Sequence, residues 1–241
     1  MSAPRLVVPG LYELALPLPL GTVNVFFLLT ASGVILIDTG YPDRGQGVHA
    51  GLQALGRSIA DVRHIIVTHH HVDHAGNVAV LQAQSGAQVW MHPFDAEQVE
   101  QGRALRPSAH CTPGWFNWLA FTLVKWLIPA TITPAAVDQM VNDNEVIPVA
   151  GGLQVIHIPG HSAGQIALYW PAQHVLFIAD ALIHRGNGLQ LPIVLEDETA
   201  AVNSLVRLER YPFTTLCFGH GPALVGVTAT VFDRYTTVPS S

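Results

Sequence analysis

The chain reads as an α/β protein, a four-layer αβ/βα sandwich, on two observations. Short apolar runs rich in β-branched residues alternate with helix-length segments, and the alternation occurs twice, over about 1–136 and about 137–241. The 241 residues are 49% hydrophobic and 12% charged, enough apolar mass to fill such a core as one domain spanning 1–241.

In order, the first half predicts strands near 5–16, 23–31 and 33–38, a helix within 46–58 and a strand at 62–68. The run His64-Ile65-Ile66-Val67 suits a strand covered on both faces. A helix beginning after Asp73, a strand at 87–91 and a short helix near 94–102 follow, and then a helical insertion near 103–136. The second half predicts strands near 145–148, 153–158, 165–170 and 174–179, a helix at about 197–210 and a strand at 214–218.

The net charge of -6, with only 11 Lys and Arg, excludes a nucleic-acid surface, which needs clustered cations. Cys111 and Cys217 lack a metal-type spacing and are expected as free or buried thiols. The segment Met1-Ser2-Ala3-Pro4-Arg5 has no apolar signal core, so a cytoplasmic location is expected.

The most informative stretch is Thr68-His69-His70-His71-Val72-Asp73-His74. Neutral imidazole offers a lone pair to borderline-soft cations such as zinc. In an extended segment the side chains of His69 and His71, two apart, project to the same side. Asp73 and His74 follow where the chain turns toward a helix and can aim at a second ion. Three further strand ends carry candidate partners: His161 in Pro159-Gly160-His161-Ser162, Asp180 after Ile178-Ala179, and His220 between Gly219 and Gly221.

This set, in this order, together with Asp38-Thr39-Gly40 after an apolar strand, resembles the metallo-β-lactamase-fold hydrolase superfamily over residues of about 23–222. The resemblance implies a first metal held by His69, His71 and His161, a second held by Asp73, His74 and His220, and Asp180 bridging both. Two divalent ions are expected, zinc first, with iron or manganese as alternatives. Ions roughly 3.5–4 Å apart share a water and lower its pKa, giving a bridging hydroxide as nucleophile. His70 fills a variable position and is expected behind the ligands or in solvent.

A carboxylate at the position of Asp180 resembles thioesterases of the glyoxalase II type, lactonases and phosphodiesterases, and true metallo-β-lactamases lack it. The expected activity is therefore hydrolysis of a small ester, lactone or thioester. Glyoxalase II fits imperfectly, because 21 residues after His220 are too few for its added helical region. Quorum-quenching lactonases carry a Tyr three residues after the bridging Asp; here that position is Ile183, followed by His184. The catalytic candidates are Asp73, itself a ligand, and His184 as a donor to the substrate oxygen. The alternatives are a phosphodiesterase, for which Arg63, Arg185 or Arg210 would have to face the metals, and a mononuclear iron sulfur dioxygenase using only His69, His161 and Asp180.

The segment 115–128 holds three of the five Trp. As a helix it would be about 21 Å long, short of the roughly 30 Å hydrocarbon core, so no transmembrane span is expected. The expectation is burial in the domain or in a homodimer contact. The functional alternative is a lid, an inserted helical hairpin leaning over the metals to form an acyl pocket.

Overall fold

The computed structural model describes residues 3–19, 21–112, 114–186 and 188–236, apart from the side chains of Phe116, Val124 and Lys125. Strands β1 (Arg5–Val8), β2 (Leu11–Leu18), β3 (Gly21–Thr30) and β4 (Gly33–Ile37) form an antiparallel meander. The expected single strand at 5–16 is two strands, because the Pro9-Gly10 turn folds β1 back on β2. Helix α1 (Gln46–Ala54) returns the chain to β5 (Val62–Ile66), which lies parallel to β4. Helices α2 (Val72–Ala75) and α3 (Val78–Ser85), strand β6 (Gln88–Met91) and helix α4 (Pro93–Glu100) come next. The insertion is mostly not helical. It contains β7 (His110–Cys111) and one helix, α5 (Trp115–Leu127), before β8 (Gln139–Met140) closes the first sheet.

The second half supplies β9 (Val146–Ile147), β10 (Leu153–His157), β11 (Ile166–Trp170) and β12 (Val175–Phe177). Then come the small hairpin β13 (Ile183–Arg185) and β14 (Gly188–Gln190), β15 (Val194–Leu195), α6 (Glu198–Leu208), β16 (Thr215–Cys217), β17 (Leu224–Val225) and α7 (Asp233–Thr236). Hairpin β13–β14, β15 and β17 are too short, at two or three residues each, to leave a periodic signal.

Strand alternation explains the layers. In β3 and β4, Phe26, Leu28, Ile35 and Ile37 face the second sheet, packing with Val155, Leu168 and Phe177. Their neighbours Phe27, Val34 and Leu36 face the other way, onto Val48 and Leu52 of α1 and Leu81 of α3. On the second sheet Ile156, Ala167 and Leu176 turn outward to Leu205 and Leu208 of α6. Both faces of each sheet are thus covered, which is why the strands read as continuous apolar runs. The layers run helix, sheet, sheet, helix: an αβ/βα sandwich. The polar ends of β4, β5, β12 and β16 emerge together at one edge.

Candidate metal centre

The parallel register of β4 and β5 pairs Ile37 with Ile66, so Asp38 and the His69 loop leave the sheet side by side. Asp38, at φ 62°, accepts from Thr68 N (2.8 Å), Thr68 Oγ1 and His74 Nδ1 (2.8 Å). A left-handed conformation is uncommon outside glycine but tolerated by Asp, and here three donors hold it. His71 caps α2, its carbonyl accepting from His74 N and Ala75 N. The turn begun at His71 therefore carries Asp73 and His74 back toward His69.

On the second sheet β12 and β16 are parallel, and beyond them Gly219 N donates to Ala179 O at 2.8 Å. This sets Asp180 beside His220. A Cβ on Gly219 would lie 1.9 Å from Asp180 Oδ1, so only glycine permits the approach. Two contacts lock the sheets together here. Asn24 of β3 donates its side-chain amide to Phe218 O (3.0 Å) and Gly221 O (2.6 Å), and His220 Nδ1 donates to Thr22 O at 2.7 Å.

All seven expected ligands converge. His69, His71 and His161 form one group whose ligand atoms lie within 4.8 Å of one another; Asp73, His74 and His220 form another. Asp180 lies between them, with Oδ2 3.6 Å from His161 Nε2 and 3.0 Å from His220 Nε2, and Oδ1 3.5 Å from His74 Nε2. Four of the imidazoles are oriented from behind. Besides His74 on Asp38 and His220 on Thr22, His161 Nδ1 donates to Val194 O (2.8 Å), and His69 Nδ1 to the Thr68 hydroxyl (3.0 Å), which itself donates to Asp38. Each Nδ1–H is used behind the ring, so in its neutral form each imidazole presents the Nε2 lone pair to the cluster. His74 Nε2 and Asp180 Oδ1 are buried without a hydrogen-bond partner, as a site shaped for cations requires. The donor set, imidazole nitrogens with carboxylates, fits borderline divalent transition metals.

The two groups differ in charge state. Burial, reinforced by the neighbouring imidazoles, holds His69 and His71 well below the usual histidine range, ready as neutral donors. Burial opposes protonation of His74 and His220 as well, but it is outweighed by Asp180, Asp38 and Asp73 acting together on His74 and by Asp180 with Asp73 and the Thr22 carbonyl on His220, raising them to about 9 and about 10. Asp180 itself is pushed up by burial and pulled down further by His220 and His74, so it stays a carboxylate.

The cluster floors a cavity of about 320 Å3 with mostly apolar walls, among them Leu18, Leu105, Ile128, Pro129, Ile183 and Ile193. His184 and Arg185 line it too; no contact of Arg63 or Arg210 with this cavity is found among the described residues. The ring of His184 donates from Nδ1 to Pro222 O at 2.7 Å. In the neutral form its Nε2 is therefore an acceptor, and it donates to a substrate oxygen only as the imidazolium. His70 is not solvated. It is fully buried behind the ligands, beside Asp95 and Glu196.

Sequence reasoning passed over Thr22, Asn24, Asp95, Val194 and Glu196. Asn24, a lone amide inside Val23-Asn24-Val25-Phe26, carried a readable signal: a buried polar group in a strand needs partners. Asp95 accepts from His70 N (3.1 Å), Ser162 Oγ (2.6 Å), Gly164 N (3.0 Å) and Arg106 (3.1 Å), tying the His69 and His161 loops to α4. Burial would raise its pKa, but the hydrogen bonds from His70 and Ser162 and the Arg106 charge bring it to about 2. Glu196 accepts from Ala163 N at 2.9 Å, beside His161.

A sequence model of the metallo-beta-lactamase superfamily matches residues 18–220. The chain belongs to that superfamily. The hydroxyacylglutathione hydrolase of Pseudomonas aeruginosa (strain LESB58) is 31% identical over 154 residues, covering 63% of this chain and 44% of that protein. The chain therefore spans less than half the length of that relative. The beta-lactamase-like protein 2 homolog of Caenorhabditis elegans is 23% identical over 220 residues, covering 91% of this chain and 62% of that one. Among solved structures, a metallo-beta-lactamase family protein from Thermus thermophilus superposes with a TM-score of 0.69 at 28% identity, over 95% of this chain and 79% of that one. A Cronobacter sakazakii metallo-beta-lactamase variant reaches 0.70 at 24% identity, over 92% of this chain and 81% of that one, a likeness of fold alone.

Proposed function

We propose that this chain is a dinuclear metal-dependent hydrolase of a small ester, lactone or thioester, working within a single domain whose two halves each contribute ligands. One observation carries the reading: two three-residue ligand groups share one edge, with Asp180 within 3.0–3.6 Å of histidine nitrogens from both. His69, His71 and His161 would hold one ion, Asp73, His74 and His220 the other, and Asp180 both. When bound, the pair would supply an activated water and a Lewis acid for a developing oxyanion. Asp38, Thr22 and Val194 fix the rings so that no reorganisation is needed on binding. The apolar walls around Leu105, Ile128 and Ile193 exclude water and suit an acyl group. His184, at the same cavity, would stand beside the leaving group or carbonyl. The thioester arm draws support from the hydroxyacylglutathione hydrolase relatives.

A phosphodiester is the second reading, favoured by Arg185 on the cavity wall. A mononuclear iron centre is less well supported, since it leaves Asp73, His74 and His220 converging on nothing. Elemental analysis of the purified protein, with a panel of lactones, thioesters, phosphodiesters and β-lactams, is the test. Two transition-metal ions per chain, zinc foremost, and highest kcat/KM on a lactone or thioester are expected. A single iron that admits no second metal would overturn the dinuclear reading, and a β-lactam as best substrate would overturn the substrate class.

A further inference from the structure

Helix α5 turns its largest side chains to solvent. Trp118 is 61% exposed and Trp126 88%, and Trp115, Leu119, Leu123 and Leu127 are exposed with them. At helical spacing these six positions form one continuous stripe. Burial in the domain, the expectation for this segment, is thus not what the fold does with it. The tryptophans do not line the metal cavity either, so they form no acyl pocket.

The charge of this region is as uneven as its polarity. Residues 101–137 contain Arg103, Arg106 and Lys125 and not one Asp or Glu, whereas the other 204 residues hold all 17 carboxylates against eight Lys and Arg. By sequence a segment of +3 therefore sits on a body of −9, and since Arg106 is held by Asp95 and Glu196, Arg103 and Lys125 are the charges left to it. The two ends of α5 border the site. Ile128 and Pro129, just past its C-terminus, line the metal cavity, and Asn117 near its N-terminus lines a groove that shares Ile183, Arg185 and Ile193 with it.

We propose that the 101–137 segment docks the protein on an anionic lipid surface, with α5 lying in the plane of the interface. The apolar stripe and its tryptophans match what interfacial helices bury at headgroup depth. At 13 residues α5 is about 20 Å long, so it lies on a bilayer and does not cross one. No helix among the described residues is long and apolar enough to cross. Charge decides between a membrane and a second copy. An isologous dimer would set two segments that carry Arg103 and Lys125 and no carboxylate face to face, while an anionic surface complements that charge and repels the acidic remainder. Docking holds the cavity mouth against the lipid. That orientation, unlike the docking itself, rests on the hydrolase reading: an amphiphilic ester or thioester would pass from the bilayer into the apolar cavity.

The test is co-sedimentation of the full chain with extruded vesicles, of phosphatidylcholine alone or with phosphatidylglycerol, in the absence of substrate and at low and high salt. Binding to the anionic vesicles is expected to be about tenfold stronger than to the neutral ones, to weaken with salt, and to shift tryptophan emission to the blue. The double substitution Trp118→Glu with Trp126→Glu should lower binding about tenfold. The charge-matched control Leu6→Glu with Val146→Glu, at exposed apolar positions elsewhere, should change it less than about twofold. Circular dichroism checks that both variants fold. The absence of wild-type sedimentation, equal binding to both vesicles, or equal loss in both double variants would each overturn the proposal. A dimer in sedimentation velocity that the α5 variant abolishes, with no vesicle binding, would assign the face to a second copy. No substrate enters these assays, so their failure is separate from failure of the hydrolase reading.

Discussion

At the sheet edge, four of the candidate ligand imidazoles have their rear nitrogens tied to protein atoms at 2.7–3.0 Å, and their strands are covered on both faces. Along α5, only a short way off, the largest side chains touch mostly water. In the first region the surrounding residues fix the converging side chains in place, Gly219 and Asn24 among them. In the second they serve surface character, with helix-length apolarity and no carboxylates. A substitution in the first should therefore change metal and chemistry together. One in the second should change neither.

Asp180→Ala should break the comparison hardest, because Asp180 is the group placed between both ligand sets. We expect kcat to fall about a thousandfold or more and the metal content to drop below two ions per chain. Near-wild-type turnover with two retained ions would show that the edge needs no bridging carboxylate.

Asp38→Asn is the next largest, acting from behind the ligands. An amide cannot accept from Thr68 N, the Thr68 hydroxyl and His74 Nδ1 as a carboxylate does. Removing such a partner costs metal affinity about 10–100-fold. Competition with a chromophoric chelator measures it, and unchanged affinity would mean His74 holds its orientation without Asp38.

Asp95 tests whether the region behind His70 is structural. Its folded pKa, about 2, lies below the ordinary aspartate value of 3.8, so its contribution is present above about 3.8 and is lost as the pH falls toward 2. The linkage is on the order of 2 kcal/mol. Chemical denaturation of the metal-depleted chain at about pH 5 and about pH 2.5 should show a steeper acid loss for wild type than for Asp95→Asn. Parallel curves would remove Asp95 from the acid limb.

The difference between the regions also sets what could be read in advance. The residues that converge at this edge were legible because metal chemistry restricts candidate ligands to a few types, here His and Asp, and because HxHxDH compresses four into one turn. The sandwich was legible because its sheets are covered on both sides. Asp95 and Glu196 were not, since a carboxylate after Pro93 or before a helix looks like an ordinary helix start. Nor could periodicity tell whether an apolar helix faces core or solvent: α5 satisfies the pattern of a buried helix and is not one.

The smallest expected effect belongs to that helix, and its smallness is the point. Truncating a fully buried aromatic such as Phe27 costs about 3–5 kcal/mol, because packing contacts are lost and a cavity remains. Trp126 is larger, yet at 88% exposure its truncation removes little contact and opens no cavity. Trp126→Ala should therefore shift unfolding free energy by no more than about 0.5 kcal/mol and leave turnover of a short, soluble substrate unchanged. Denaturant titration at two protein concentrations reads both the size and the cause. A loss above about 1 kcal/mol that grows with concentration would mean the face is covered by another copy. A loss of that size independent of concentration would mean the side chain packs against its own domain in solution. Only the small effect leaves the stripe open to something outside the chain.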